Sequence, residues 1–214
     1  MHPATTDSPL DAVLLLIGAG GHGRVVADAA LLEGRWAQVH ATDDDAARCQ
    51  GELLPGVPLE GRRPGEASAK GGIHISIGDN ATRGRMAAQM GAERLVTVRH
   101  PHATVSPHAL LDAGCFVAAG AVIAPRARVG LCAIINHAAV LDHDAVAGAF
   151  SHVAPGAVMG GGASIGERVL LGSGAVVLPG VSIASDIVIG AGCVVTRSLK
   201  DAGTYAGVPA RRIR

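Results

Sequence analysis

The chain has 214 residues, with Lys plus Arg equal to Asp plus Glu at 18 each. That balance leaves no global basic field for nucleic acid, and the length gives one or two domains with a sizeable core. Aromatic residues are confined to Trp36, Phe116, Phe150 and Tyr205, so the core must be aliphatic.

The four cysteines, Cys49, Cys115, Cys132 and Cys193, are widely spaced without a CxxC pair. They read as free thiols of a reducing compartment. The opening MHPATTDSPL lacks a basic region followed by an apolar stretch, and so does not read as a signal peptide. The longest charge-free stretch, residues 145–166, holds six glycines and does not suit a membrane span. These features predict a cytoplasmic protein with no membrane insertion.

In chain order, residues 13–17 are a short apolar run ending at Gly18, as expected of a buried parallel strand. The loop GAGGHG, residues 18–23, follows. Residues 24–32 read as a helix with Val25, Val26, Ala29 and Leu32 on one face and Gly34 as its stop. Residues 38–42 predict a second strand ending at Asp43, Asp44 and Asp45. Pro55–Gly56 and the Gly/Arg/Pro run at 61–65 predict turns. A third strand is expected at 73–77, ending in Gly78–Asp79–Asn80, a second helix at 81–90 and a fourth strand at 94–98. Strands alternating with helices predict a small Rossmann-like parallel α/β domain over residues 11–101.

The pattern then changes. From Ala103 to Ser198 the sequence divides into sixteen hexads without an insertion, and every third position except Ala147 is Val, Leu, Ile or Met. Neither an amphipathic helix nor an alternating strand has a period of six. A parallel β-helix does, each coil burying its aliphatic residues by stacking on the next. Three hexads make one triangular coil, so residues 18 apart stack. The solenoid is predicted over 102–199, with a tail at 200–214.

Reactive side chains stand out against a face of Ala, Gly and Val. Asn136, His137, Asp142, His143, Asp144 and His152 fall within INHAAVLDHDAVAGAFSHV. His143 lies between two aspartates. A carboxylate on one ring nitrogen fixes the imidazole tautomer and raises its basicity, leaving the other nitrogen free to take a proton. The glycine loop satisfies GxGxxG at Gly18, Gly20 and Gly23, with Asp43 placed 20 residues on. The domain is half the size of a dinucleotide fold. Gly20, Gly21 and His22 would open a helix, where an anion is well placed.

The hexads, INHAAVLDHD, FSHV and the terminal YAGVPARRI resemble bacterial sugar acetyltransferases of the left-handed β-helix superfamily. The group is the one named for sialic acid O-acetyltransferases, which includes N-acetyltransferases of nucleotide-linked 4-amino-4,6-dideoxy sugars. The resemblance implies a left-handed coil, acetyl-CoA as cosubstrate, no metal and a homotrimer. It implies that His143 is the general base and Asp144 its supporting carboxylate. Gly20, Gly21, His22, Asp43, Asp44, Asp79, Asn80, Asn136 and Asp142 would bind the nucleotide-sugar acceptor. His152, Gly161, Gly174, Pro209 and Arg211 would contact coenzyme A, with the Gly161 N–H facing the thioester oxygen.

N-acetylation is favoured over O-acetylation because a nucleotide-linked acceptor gives the N-terminal domain a ligand. Three other readings compete: a γ-class carbonic anhydrase with zinc on three histidines, a nicotinamide-dependent enzyme with a β-helical arm, and a non-catalytic trimeric scaffold. His137 and His143 fall on different faces of the prism, which disfavours the zinc site, and the nicotinamide reading leaves the His/Asp cluster unexplained.

Overall fold

The computed structural model describes residues 13–61 and 71–214; the first ten residues and positions 62–65 of the expected turn lie outside them. The N-terminal sheet has three parallel strands in the order β2, β1, β5. β1 is Val13–Ile17, β2 is Gln38–Thr42 and β5 is Gly71–Ile75. Leu14 and Leu16 of the central strand are fully buried, and Ile17 nearly so. Helix α1, Gly21–Glu33, shares a core with Leu14 and Leu16 through Val26, Ala29 and Ala30. Helix α2, Asn80–Met90, packs Met86, Ala87 and Met90 with Ile17, Ile73 and Ile75. An apolar run with helical cover on both faces is the expected signature of a central parallel strand.

The structure corrects several boundaries. α1 begins at Gly21 rather than 24, so the glycine loop feeds directly into its first turn. The third strand runs over 71–75 rather than 73–77. Just past this strand, the Ser76 N–H still donates to the Ile17 carbonyl at 2.8 Å, and its hydroxyl donates to the Ile17 and Gly18 carbonyls, tying this strand end to the glycine loop. A short hairpin unforeseen in the sequence, β3 (Glu52–Leu54) and β4 (Val57–Pro58), flanks the expected Pro55–Gly56 turn.

The expected fourth strand at 94–98 does not form. Ala92–Arg94 is a 3-10 turn, and Leu95 makes a single bridge to Ile73. The next strand, β6 (Val98–Arg99), pairs instead with Phe116–Val117 and is a rung of the solenoid. It occupies the second and third positions of a further hexad, residues 97–102. Arg99 stands where an aliphatic residue belongs, which hides that hexad in the sequence.

The rest is a left-handed parallel β-helix with three sheets. Partners are 18 residues apart, as in Val122↔Val140 and Ile134↔His152. Third-position side chains from Val117 to Val195 point inward and are buried, as are the small first positions. Burying each such aliphatic chain is worth roughly 1.5–3 kcal/mol. Sixth positions make the corners with positive φ. Gly120, Gly162 and Gly180 hold this conformation without strain, whereas Arg126, Asp144 and Phe150 hold it at 64°, 59° and 57°.

The three faces differ. Second positions of one face run Thr104, Val122, Val140, Val158, Val176, Val194, a half-exposed valine stripe. A second face carries Leu110, Arg128, Val146, Ser164 and Ser182. The third carries Val98, Phe116, Ile134, His152, Leu170 and Val188. Phe116 and Ile134 are only 1% exposed although they point outward, because they belong to the same core as Leu14, Leu16 and Val26. The N-terminal domain is therefore docked on this third face. After Ser198 the chain does not fray: Gly203–Ala206 extends the docked face and Arg211–Arg212 folds back on it. No helix among the described residues is long and apolar enough to cross a membrane.

Leu141 is fully buried two residues before His143. Leu141→Ala should cost about 2–5 kcal/mol, read as a lowered midpoint of denaturant unfolding; an unchanged midpoint would contradict the inward assignment of third positions.

Candidate active site

The glycine loop lines a cleft of about 330 Å³ at the carboxyl ends of the strands. Gly20, Gly21, His22, Asp43 and Asp44 line it as expected, joined by Arg48, Ser76, Ile77, Gly78 and Thr82. Two glycines are needed for the loop itself. Gly18 has φ of 113°, and a Cβ on Gly23 would lie 2.2 Å from the Gly18 carbonyl oxygen. A Cβ on Gly20 or Gly21 would meet nothing within 4 Å, so these positions open onto the cleft. Gly20 caps α1 without a side-chain hydrogen bond, and the first turn holds no acidic residue. The unpaired N–H groups there can receive an anion.

Of the acidic candidates, Asp43 is partly engaged within the fold. Its Oδ2 accepts from the Ala19 N–H at 2.8 Å and its Oδ1 from the Asp45 N–H at 3.0 Å. Asp79 and Asn80 have other duties. Asp79 caps α2, accepting from the Thr82 N–H at 2.8 Å, and the Thr82 side chain together with that bond holds its carboxyl below the usual range. The Asn80 amide donates to the Arg168 and Val169 carbonyls of the solenoid. Both lie at the helix start, and neither lines the cleft; Thr82, in the same first turn, does.

Behind the cleft the two domains meet through histidines. His22 stands edge-on to Phe116 and 6.2 Å from the His152 ring. Asn136 Oδ1 accepts from the His137 backbone N–H at 2.8 Å, so the side-chain amide nitrogen faces His152 Nε2 at 3.0 Å. That leaves the proton of His152 on Nδ1, directed to the Gly78 carbonyl. Burial, with Arg83 nearby, pushes His152 down to about 4. Burial and the neighbouring His152 push His22 down to about 3, and its Nε2 is buried without a partner. Both imidazoles are neutral at pH 7.

His143 stands elsewhere, on the exposed edge between the valine face and the second face. Its Nδ1 is 3.0 Å from Asp144 Oδ2, and its backbone N–H donates to Asp142 Oδ1 at 2.7 Å. The Asp144 hydrogen bond, aided by Asp142, raises the basicity of this imidazole above its ordinary value. Arg126, one coil earlier on the same edge, was not foreseen: its Nε lies 2.8 Å from the other Asp144 oxygen. The carboxylate is thus held at both oxygens. Gly161 stacks one coil beyond His143, and a Cβ there would come within 2.6 Å of the ring. The Gly161 N–H finds no acceptor among the described residues. Gly174 lies on a different edge, and its N–H is spent on the Pro155 carbonyl at 2.9 Å.

The His143 edge is opposite the docked face, so the expected site is divided in one chain. His143, Asp144, Asp142 and Gly161 form one group; the cleft, His22, Asn136 and His152 form another across the prism. His137 stands on the edge that also carries Gly174. No cluster of His, Cys, Asp and Glu among the described residues is arranged to hold a metal. Buried Cys115 and Cys132 are pushed up to about 12 and 11 by desolvation, so both remain thiols rather than nucleophilic thiolates.

Towards the C-terminus, Arg197, Lys200, Asp201, Tyr205, Arg211 and Arg212 line a recess of about 370 Å³. Arg211 was expected here; Arg197 and Lys200 were not. Pro209 belongs to the same turn and follows a cis peptide bond. Arg197 shares a hexad position with His143 and Gly161, three coils further along one edge.

Residues 13–90 match the PglD N-terminal domain family, and residues 162–197 the bacterial transferase hexapeptide family of six repeats. No protein with a curated description matches at a significant level. Among solved structures, the acetyltransferase domain of PglB from Neisseria gonorrhoeae FA1090 is 33% identical with a TM-score of 0.86, covering 95% of this chain and 100% of that one. The same domain in complex with acetyl coenzyme A is 32% identical with a TM-score of 0.85, covering 94% and 98%. PerB from Caulobacter crescentus, in complex with CoA and GDP-perosamine, is 37% identical with a TM-score of 0.83, covering 96% and 99%. With likeness of this extent over both domains, the chain belongs to the hexapeptide-repeat sugar acetyltransferases.

Proposed function

We propose that the protein transfers an acetyl group from acetyl-CoA to the 4-amino group of a nucleotide-linked 4-amino-4,6-dideoxy sugar. The observation that carries this reading is the His143 imidazole, tied at Nδ1 to Asp144 and open at Nε2 beside an unpartnered Gly161 N–H. Its support from likeness is that PerB, similar over the whole chain, holds CoA with GDP-perosamine.

In the proposed reaction the sugar nitrogen attacks the thioester carbonyl carbon directly. Its proton passes to His143 Nε2 as the C–N bond forms. The carbonyl oxygen takes up negative charge beside the Gly161 N–H. The C–S bond then breaks, and the CoA sulfur leaves with that proton. A positioned imidazole can supply about 10²–10⁴-fold and an oxyanion donor about 10²–10³-fold. The donor would run along the His143 edge towards the C-terminal recess. Three rungs separate His143 from Arg197, about 14 Å at sheet spacing, a span suited to the pantetheine arm with its phosphates at Arg197, Lys200 and Arg211.

The acceptor would lie with its diphosphate at the α1 N-terminus and its nucleoside by Asp44. Its sugar cannot then reach His143 of the same chain, because the prism intervenes. A homotrimer resolves this, each cleft, with Asn136 and His152 at its base, serving the imidazole of a neighbouring copy. The half-exposed valine stripe beside the His143 edge gives such an assembly an apolar surface to cover.

Three outcomes follow from this reading. With acetyl-CoA and a panel of UDP-, GDP- and dTDP-linked 4-amino sugars, one acceptor should release thiol at an enzymatic rate, and His143→Asn should lower kcat at least about 100-fold with acceptor affinity retained. Thiol release from none of them would refute the function, and a loss below about tenfold would refute the base. The pH profile of kcat/KM should fall on the acid side, where the imidazole gains a proton, with a midpoint above about 6.5. Asp144→Asn should move that limb to lower pH, since the supporting carboxylate is gone; an unmoved limb would exclude Asp144 as the partner. Finally, His143→Ala and Gly21→Asp chains, each inactive alone, should regain activity when co-assembled from denaturant. Continued inactivity in verified mixed oligomers would place the whole site within one chain.

A further inference from the structure

Arg83 is charged, only 1% exposed, and no carboxylate among the described residues touches it. A buried cation is costly unless every donor is satisfied, and an aliphatic chain of similar size would fill the space more cheaply. The guanidinium therefore needs a reason beyond packing. Its donors supply one. Nε donates to the Cys132 carbonyl at 2.8 Å, and Nη2 to the Phe150 and Ser151 carbonyls at 2.7 and 3.1 Å. Nη1 donates to the Ile77 and Gly78 carbonyls at 2.9 and 3.1 Å, and Nη2 also to Asn80 Oδ1 at 2.7 Å. Ile77 and Gly78 are cleft wall. Cys132 and Phe150 are successive corners of the solenoid, both with positive φ. Asn80 continues the row by donating to the carbonyl of Arg168, the next corner on that edge. One side chain thus joins the wall of the acceptor cleft to the solenoid.

We infer that Arg83 is the positioning residue that holds the acceptor cleft in register with the β-helix, and so with the acetyl-transfer edge of the neighbouring copy. The catalytic half of this statement rests on the proposed function; the mechanical half does not. The planar fork matters as much as the charge. Five N–H groups diverge in one plane to reach carbonyls from both domains, whereas a lysine ammonium offers three donors from a single point. Asn80 and His152 add lesser ties between the same two parts, the second through the Gly78 carbonyl. A shift of about 1 Å in a reacting group can cost about 100-fold in rate, so a loosened cleft should still bind its nucleotide but present the sugar poorly.

The test uses the full chain carrying Arg83→Lys or Arg83→Met. The nucleoside diphosphate that binds the unaltered protein best, from UDP, GDP and dTDP, serves to titrate intact clefts. The expected result is a kcat per titrated cleft at least about tenfold lower, diphosphate affinity within about threefold, and an unchanged oligomer mass. Hydrogen exchange should accelerate together at residues 77–80 and 150–152 but not in β1. Wild-type kcat per cleft in either variant, or unaltered exchange at both segments, would overturn the assignment. Should neither variant fold, Asn80→Ala decides the matter by the same two readouts: a partial loss of kcat with joint acceleration supports the lock, and wild-type values refute it. If no acceptor is turned over even by the unaltered protein, the proposed function fails while the exchange measurement still tests the lock.

Discussion

Every placement along the β-helix depends on the ladder that joins each residue of the solenoid to one 18 positions away. The ladder is made of backbone hydrogen bonds between successive coils, such as Gly162 N–H to the His143 carbonyl and Gly180 N–H to the Gly161 carbonyl, both 2.9 Å. It converts sequence distance into position along an edge. His143, Gly161 and Arg197 are remote in sequence, yet the ladder sets them on one line at rung intervals. The same rule puts Arg126 one rung before Asp144, close enough for a 2.8 Å ion pair. A period of six thus decides which side chains can cooperate and which cannot.

The corners carry the second constraint. Each coil turns through a left-handed residue, and glycine is the natural occupant. Non-glycine corners keep the awkward backbone and gain a side chain at the edge. Asp144 is such a corner, at φ 59°. Its position beside His143 follows from the turn, because the fifth and sixth positions project from the same bend. The carboxylate is then held by Arg126 on one oxygen and the imidazole on the other. Exposure is compatible with function here. The pair is open to solvent in one chain, and the proposed neighbouring copy would narrow its surroundings.

The β-helix was the most legible part of the sequence, because each coil repeats one buried aliphatic and one small residue. Its first rung is hidden because Arg99 fills an inward-type position, and Val98 instead reads as the end of a strand, 94–98, in the preceding domain. The central strand and its glycine loop were also plain. The His143, Asp144 and Gly161 grouping was legible by resemblance, and the 18-residue step between His143 and Gly161 explains why the structure stacks them. Asn80 was not, since a strand-end asparagine looks alike whether it meets a ligand or a neighbouring domain. Arg83 left no mark at all. A single arginine within NATRGRMAAQM reads as a solvated helix position, and only the carbonyls of distant coils give it a purpose. Sequence period reports what stacks within an element, whereas domain docking depends on surfaces with no period.

The charges around the cleft constrain how an anionic acceptor could be held. His22, His74 and His152 crowd the domain junction, and burial keeps all three neutral at ordinary pH, with His74 pushed down to about 4. They therefore add no positive charge to the cleft. Arg83 is charged, but its donors already face carbonyls of both domains, so it cannot turn towards a ligand. Positive potential directed into the cleft must come from the α1 N-terminus, with its N–H groups unclaimed by any acidic side chain, and from Arg48 at the rim. This arrangement uses directional N–H donors where a protonated histidine would otherwise serve. Under the proposed function, an anion held in this way should keep its affinity across the pH range in which His143 titrates, so that pH would alter the proposed transfer step while leaving the grip on the acceptor intact.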